Sequence, residues 1–318
     1  MIVVGGEALV DLVPAPATVH GELGPLLPRL GGGPYNTAVA LGRLGAPVSF
    51  LSRISTDAFG DALVDRLRVA GVGLDLLQRG PEPTTLAVVT LAGDGSARYT
   101  FHVQGTADRL VADPGPLPTE ATALSLGTLG LVLDPGASVY EAMLHREAAA
   151  GRLTVLDPNI RSGLIADARA YRDRFATWLP DVGLLKASVE DACWLADQAE
   201  DTDVLPVAGG WLKAGVGAVV LTRGSAGLTV LSEAVGRVDV PAERAAVADT
   251  IGAGDTVHAA LLAWLTEHAV GSAAAVRELS AEGWQEALRF AARAAAITVS
   301  RVGAEPPYAA ELADTENR

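Results

Sequence analysis

Along most of the chain, short apolar or β-branched runs alternate with alanine-rich stretches of helical period, and few folds accept that alternation other than a parallel sheet covered by helices on both faces. The runs at 2–6, 48–51, 123–126, 154–157, 183–186 and 218–222 have the length of buried strands. The segments 36–44, 59–70, 139–150, 171–179, 189–196, 253–265 and 284–299 carry apolar residues at a 3.6-residue period and predict helices. The expectation is an α/β fold with a central, mostly parallel sheet flanked by helices. Two stretches break the pattern. Residues 8–29 and 84–102 alternate like strands, as in Leu86-Ala87-Val88-Val89-Thr90-Leu91 and Ala97-Arg98-Tyr99-Thr100-Phe101 around a Gly93-Asp94-Gly95 turn, and predict a small antiparallel β lid formed by about 8–29 and 84–104. With no linker and no internal repeat, 1–318 is expected to be one domain carrying that lid.

Composition narrows the partners. A net charge of −14 disfavours nucleic acid and anionic membrane surfaces, leaving small molecules as the expected ligands. Cys193 is the single cysteine, which excludes an intrachain disulfide and a thiolate metal cluster. The longest apolar runs fall short of a membrane span, and nothing resembles a signal peptide, so a cytoplasmic protein is expected. Lys186 and Lys213 are the only lysines among 24 Lys and Arg residues, and neither lies in a Gly-x4-Gly-Lys loop or behind a glycine-rich kinase loop. Phosphate, if bound, is then expected on backbone, metal or arginine. No Gly-x-Gly-x-x-Gly fingerprint occurs, which argues against a nicotinamide-dependent oxidoreductase.

The segment Asp249-Thr250-Ile251-Gly252-Ala253-Gly254-Asp255-Thr256 places a carboxylate behind two glycines where a helix begins. Gly252 and Gly254 permit a tight turn and close approach of a ligand, and the first-turn N–H groups beyond them have no partner inside the helix. The positive end of the helix dipole favours a bound phosphate and an ionised Asp255 able to take a proton from a hydroxyl beside it. The same residues also suit a plain turn with an Asp cap. A second segment, Gly31-Gly32-Gly33-Pro34-Tyr35-Asn36, runs from a glycine stretch into a helix with Pro34 at its start and Asn36 in its first turn, so that backbone and an amide can meet a polar ligand.

The two segments resemble the two signature regions of the ribokinase-like (PfkB) family of sugar kinases, at 31–45 and 249–262. The likeness extends to Gly6-Glu7-Ala8-Leu9-Val10-Asp11, similar to the family's first strand, and to Asp157-Pro158-Asn159-Ile160-Arg161, similar to its fructokinase branch. Residues 219–227, with Thr222, Gly224 and Gly227, resemble the family's nucleotide strand. The resemblance implies an ATP-dependent sugar kinase, fructokinase-like, with Asp255 as base and the backbone of Gly252, Ala253, Gly254 and Asp255 as anion hole. It further implies that Asp11, Gly31, Gly32, Asn36 and Arg161 hold the sugar and that Ser188, Thr222, Gly224 and Gly227 lie at the nucleotide. Mg²⁺ near Asp191 and a monovalent cation such as K⁺ near Asp249 and Ile251 follow by the same analogy. Separately, the alternating apolar lid strands form a small sheet that a partner's lid would cover, so a homodimer through the lid is expected.

Departures from the family pattern bear on the details. Ser188-Val189-Glu190-Asp191 stands where many relatives have Asn-x-x-Glu, Ala292 where they carry asparagine, and Pro307 where they carry a hydroxyl residue. His102-Val103 replaces a Tyr-Arg pair at the end of the second lid strand, a loss more damaging to a 2-keto-3-deoxygluconate carboxylate than to neutral fructose. Fructose is the expected substrate, with 2-keto-3-deoxygluconate and ribose as alternatives and a weakly catalytic sugar-binding or regulatory protein as the alternative of another class.

Overall fold

The computed structural model describes residues 1–15, 24–91 and 97–316, so the Gly93–Gly95 turn and 16–23 lie outside the described residues. In chain order the elements are β1 (Ile2–Gly5), β2 (Leu9–Pro14), β3 (Leu26–Gly31), α1 (Gly33–Arg43), β4 (Val48–Leu51), β5 (Arg53–Ser55), α2 (Ala58–Val69), β6 (Gln78–Gly80), β7 (Thr85–Leu91) and β8 (Ala97–His102). There follow β9 (Ala123–Gly127), α3 (Gly136–Ala149), β10 (Leu153–Asp157), α4 (Ala168–Trp178), β11 (Leu184–Ser188), α5 (Val189–Leu195), α6 (Leu205–Lys213) and β12 (Ala218–Thr222). The chain closes with β13 (Leu228–Ser232), β14 (Gly236–Val240), α7 (Ala253–Glu267), α8 (Ala273–Arg277), α9 (Ala281–Val299) and α10 (Ala309–Glu316).

Eight strands form the main sheet in the order β14-β13-β12-β11-β10-β9-β1-β4. The six expected strands are its parallel part, and β13 and β14 extend one edge as an antiparallel hairpin that the sequence reading did not include. Because strand side chains alternate between faces, the near-continuous apolar runs feed two cores. Val4, Val155, Leu184 and Val220 pack toward α1, α7 and α9 around the fully buried Trp284. Val3, Leu156, Leu185 and Val219 pack toward α3, α4 and α6 around Trp178.

The lid is a second sheet of order β3-β2-β7-β8. Its outer pairs are antiparallel, as expected, whereas β2 and β7 run parallel with Leu9 opposite Thr85. A parallel pair needs a long crossover, which here is the whole stretch from α1 to β6. The lid therefore grows directly out of β1 on one side and returns through β3 into α1.

At the carboxyl edge of the main sheet β9 and β10 come close: Gly127 lies opposite Asp157, and a Cβ built on Gly127 would stand 2.1 Å from the Asp157 carbonyl oxygen. Only a residue without a side chain permits that approach. Gly127→Ala is expected to push β9 and β10 apart and to destabilise the protein by about 2 kcal/mol or more. A denaturant melt showing less than about 0.5 kcal/mol of loss would contradict that packing.

Candidate active site

Parallel open sheets present their ligands at the carboxyl ends of the strands, and the sequence-predicted residues gather there. The helix α7 starts at Gly252, whose left-handed backbone (φ 77°) an ordinary side chain would strain and whose Cβ would strike Ala304. Ala304 is held in place from outside: Arg66 donates to its carbonyl oxygen at 2.6 Å, and Arg43 and Arg66 both pair with Glu305. Asp249 ties the two loops together, its oxygens accepting from the Ile251 and Gly303 amides at 3.0 and 2.8 Å. The first turn of α7 is thus fixed on its back, while the amides of Gly254 and Asp255 find no acceptor among the described residues. These are the two N–H groups that an anion would take.

Asp255 and Asn36 meet across 219 residues of sequence, Asn36 Nδ2 donating to Asp255 Oδ2 at 2.9 Å. The other carboxylate oxygen looks toward a small cluster. A Cβ on Gly33 would lie 3.5 Å from Asp255 Oδ1, 3.0 Å from Asn159 Nδ2 and 2.5 Å from Thr128 Oγ1, so glycine at 33 leaves the three side chains room to converge. Asn159 donates to Thr128 at 3.2 Å, and both residues sit in left-handed backbone (φ 41° and 50°), a conformation that non-glycine residues keep only where the surroundings demand it. Burial pushes the Asp255 carboxyl up to about 6; the Asn36 hydrogen bond opposes the shift, Asp157 adds to it, and Lys186 and Arg161 oppose it.

Lys186 is the feature that the sequence reading passed over. It projects from β11 beneath this cluster, 3 % exposed, and donates from Nζ to Asp157 Oδ2 at 2.8 Å. Asp157 Oδ1 and Asn36 Oδ1 are buried with no hydrogen-bond partner among the described residues. One signal was available: a lysine inside Leu184-Leu185-Lys186-Ala187, an otherwise apolar strand, requires a buried anionic partner.

The loop from β3 into α1 is anchored by Glu7, another residue without a role at the outset. Its buried carboxyl accepts from the Gly33 amide at 3.0 Å and the Gly130 amide at 3.2 Å. Asp11, on the lid strand β2, is packed against Gly31, where a Cβ would lie 2.5 Å from Asp11 Oδ2. Burial raises the Asp11 carboxyl to about 6 against the pull of Arg161. Arg161 is exposed and folds back on its own loop, donating to the Asn159 carbonyl and side-chain oxygens at 2.9 and 2.7 Å. Burial, with Asp11 and Asp249 adding to it, raises the hydroxyl of Tyr99 on β8, and Arg161 opposes the shift.

The remaining predicted residues line the sheet edge farther along. Ser188 and Thr222 are register partners at the ends of β11 and β12. Gly224 and Gly227, both at positive φ, turn the chain tightly from β12 into β13. Ser188 caps α5 reciprocally with Asp191, whose two oxygens also accept from the Ile160 and Ser188 amides at 2.7 and 3.1 Å. Asp191 thus holds the Asn159–Arg161 loop in place. Among the described residues no three His, Cys, Asp or Glu side chains converge as a metal cage.

A helix start with two unpaired amides, a carboxylate beside it and a second sheet carrying polar groups suit phosphoryl transfer to a small hydroxylated substrate. The chain belongs to the pfkB family of carbohydrate kinases, whose family model matches residues 1–310. It is 40 % identical over 267 residues to a fructokinase of Rhizobium leguminosarum bv. trifolii, covering 83 % of this chain and 79 % of that one. The fructokinase of Xylella fastidiosa solved with bound ATP superposes with a TM-score of 0.87 at 27 % identity, over 100 % of this chain and 99 % of its own. A fructokinase of Vibrio cholerae O395, solved with fructose, ADP and a potassium ion, shares the fold with a TM-score of 0.82 at 24 % identity, covering 98 % and 97 %. The protein is an ATP-dependent sugar kinase, a reading these relatives favour over a sugar-binding regulator or an oxidoreductase.

Burial of Glu7 carries a stability consequence. Desolvation, with Asp108 adding to it, pushes its carboxyl up to about 8 against the pull of the Gly33 and Gly130 amides, so the folded protein keeps a proton that the unfolded chain releases from about 4.5. Stability from this group is therefore complete below pH 4.5 and is lost as pH rises through 8, by an amount on the order of a few kcal/mol. Thermal melts at pH 6 and pH 8.5 should show the wild type losing more stability than Glu7→Gln over that interval. Equal losses would refute the assignment.

Proposed function

We propose that the protein phosphorylates a hydroxyl of fructose, with Asp255 as general base and the backbone from Gly252 to Asp255 as the anion hole, in which the Gly254 and Asp255 amides are the donors and the Ala253 amide is held by the Thr250 carbonyl. The observation that carries this reading is the junction of Asn36 with Asp255 at a helix start whose Gly254 and Asp255 amides have no acceptor among the described residues. A sugar hydroxyl between Asp255 Oδ1, Thr128 and Asn159 would pass its proton to Asp255 as its oxygen bonds to the γ-phosphorus. The bond to the β-phosphate oxygen breaks with its electron pair leaving on ADP. Catalysis is then positioning and charge stabilisation, the mode phosphoryl transfer requires.

Asp11, Gly31, Gly32, Asn36 and Arg161 form the sugar pocket in this reading, with Asp11 accepting from neighbouring hydroxyls. Ser188, Thr222, Gly224 and Gly227 border the nucleotide. Mg²⁺ would neutralise the phosphates, with Asp191, whose oxygens also accept from the Ile160 and Ser188 amides, as the carboxylate at its side. Asp249 and Ile251 are the place for a monovalent cation, K⁺ being present in the Vibrio cholerae relative. The chain works as one α/β unit, 1–318, with its lid at 8–29 and 84–104. Leu26 and Leu27, 41 % and 36 % exposed on the lid edge strand β3, favour a homodimer that covers the lid. ATP use and a lone buried thiol favour the cytoplasm. No helix among the described residues is long and apolar enough to cross a membrane.

Fructose is preferred to 2-keto-3-deoxygluconate because the lid strand ends in His102-Val103, with no arginine directly following in sequence to meet a carboxylate. In an ADP-release assay with Mg²⁺ and ATP, kcat/KM for fructose should exceed that for the keto-deoxy acid by at least ~10-fold, and the reverse order would contradict the assignment. Asp255→Asn should lower kcat by at least ~10²-fold; unchanged turnover would remove Asp255 as the base.

Acidity supplies a second test. Asp255 and Asp11 both carry carboxyls raised to about 6 and act as carboxylates, so activity is present above that pH and lost below it. Below about pH 5.5 log kcat/KM for fructose should fall with a slope near two, and Asp11→Asn should reduce that slope to about one. A slope unaffected by Asp11→Asn would show that Asp11 does not titrate in this window.

A further inference from the structure

The ammonium of Lys186 stands where a covered sheet should hold nothing charged. Its Nζ has three protons and makes one hydrogen bond among the described residues, to Asp157 Oδ2. It also lies 3.1 Å from the position of a Cβ on Gly254, hard against the first turn of α7. A cation at the positive end of a helix is repelled by it, unless both face the same anion. The neighbouring charges keep the cation: burial works against it, but Asp157, then Asp191 and Asp255, outweigh burial and raise the lysine overall. His258, one turn on from Asp255, does not compete for that anion. Its ring is held neutral by burial and by the lysine, and Nε2 is engaged with Ser125 Oγ at 2.7 Å.

We infer that Lys186 is a catalytic residue: its ammonium, oriented by Asp157, binds a non-bridging oxygen of the phosphoryl group in flight, from the floor of the anion hole formed by the α7 amides. The inference rests on the phosphoryl-transfer reading above. Lys186 keeps its three protons throughout; the only proton that moves is the sugar's, to Asp255, and the only bonds changed are the two at phosphorus. The lysine's part is to place one positive charge against the charge spread over the equatorial oxygens, a contribution that grows in a water-excluded site. Glycine at 254 suits this placement, since a Cβ there would stand 3.1 Å from the ammonium.

A buried ion pair can also serve structure alone, and the test separates the two roles. Lys186→Met and the doubly neutral Lys186→Met/Asp157→Asn would be compared with the wild type for kcat, fructose KM and melting temperature. The double variant leaves no unpaired buried charge, so it restores folding if the single variant loses it. We expect kcat to fall at least ~100-fold in both, with fructose KM within about threefold of wild type. A structural pair would instead give a folded double variant with kcat within about threefold of wild type, which would overturn the inference. A wild type that phosphorylates no sugar would sink the underlying reading and not the lysine's role in particular. Independently of any variant, a crystal structure of the wild type with Mg²⁺ and a non-hydrolysable ATP analogue should place Nζ within hydrogen-bond distance of a phosphate oxygen, about 3 Å. A separation beyond about 5 Å from every phosphate oxygen would refute the contact.

Discussion

The hydrogen bond from Asn36 to Asp255 joins the first turns of two helices that enter the site from opposite ends of the chain. The rest of the site is arranged to make that meeting hold. Glu7 pins the start of α1 through the Gly33 amide, Asp249 and the Arg43, Arg66 and Glu305 group brace the start of α7, and Gly33 leaves the space into which Asp255, Thr128 and Asn159 converge. Two helix N-termini brought together concentrate unpaired amides and positive potential at one point. That is a favourable place for a phosphate and for an ionised base, and an unfavourable one for an empty, desolvated carboxylate.

The cost appears in the carboxyls. Glu7, Asp11 and Asp255 are all raised, each first of all by burial, and the unpartnered oxygens of Asn36 and Asp157 lie among them. Buried polar groups without partners destabilise a fold by roughly 1–3 kcal/mol each, and two strongly apolar cores around Trp178 and Trp284 offset that expense. Groups that weaken the free protein are the ones that a sugar hydroxyl and a phosphate would satisfy.

Much of this was legible in the sequence because strand runs, helix periods and glycine-rich helix starts are local signals. The parallel strands β1, β4 and β9–β12 and the helices around Asn36 and Asp255 fall where the periodicity puts them. The β13–β14 hairpin was not foreseen, since two five-residue strands at a sheet edge leave only a brief alternation around Gly236. Helix α6, interrupted by Gly209 and Gly210, and the five-residue α8 have weak local signals as well. Within the site the glycine segments, Asp255 and Asn36 were visible as motifs, whereas Thr128, Glu7 and Lys186 were not. Their roles arise from strand register and from long-range pairs such as Lys186 with Asp157, 29 residues apart, of which the lysine in an apolar strand is the one local sign.

The central claim is that Asp255 faces the reacting hydroxyl at the mouth of the α7 anion hole. A crystal structure with fructose, Mg²⁺ and a non-hydrolysable ATP analogue tests it directly. The account predicts one fructose hydroxyl within about 3 Å of Asp255 and the terminal phosphate on the amides at the start of α7. Fructose bound with no hydroxyl near Asp255, or a phosphate lodged away from those amides, would contradict it.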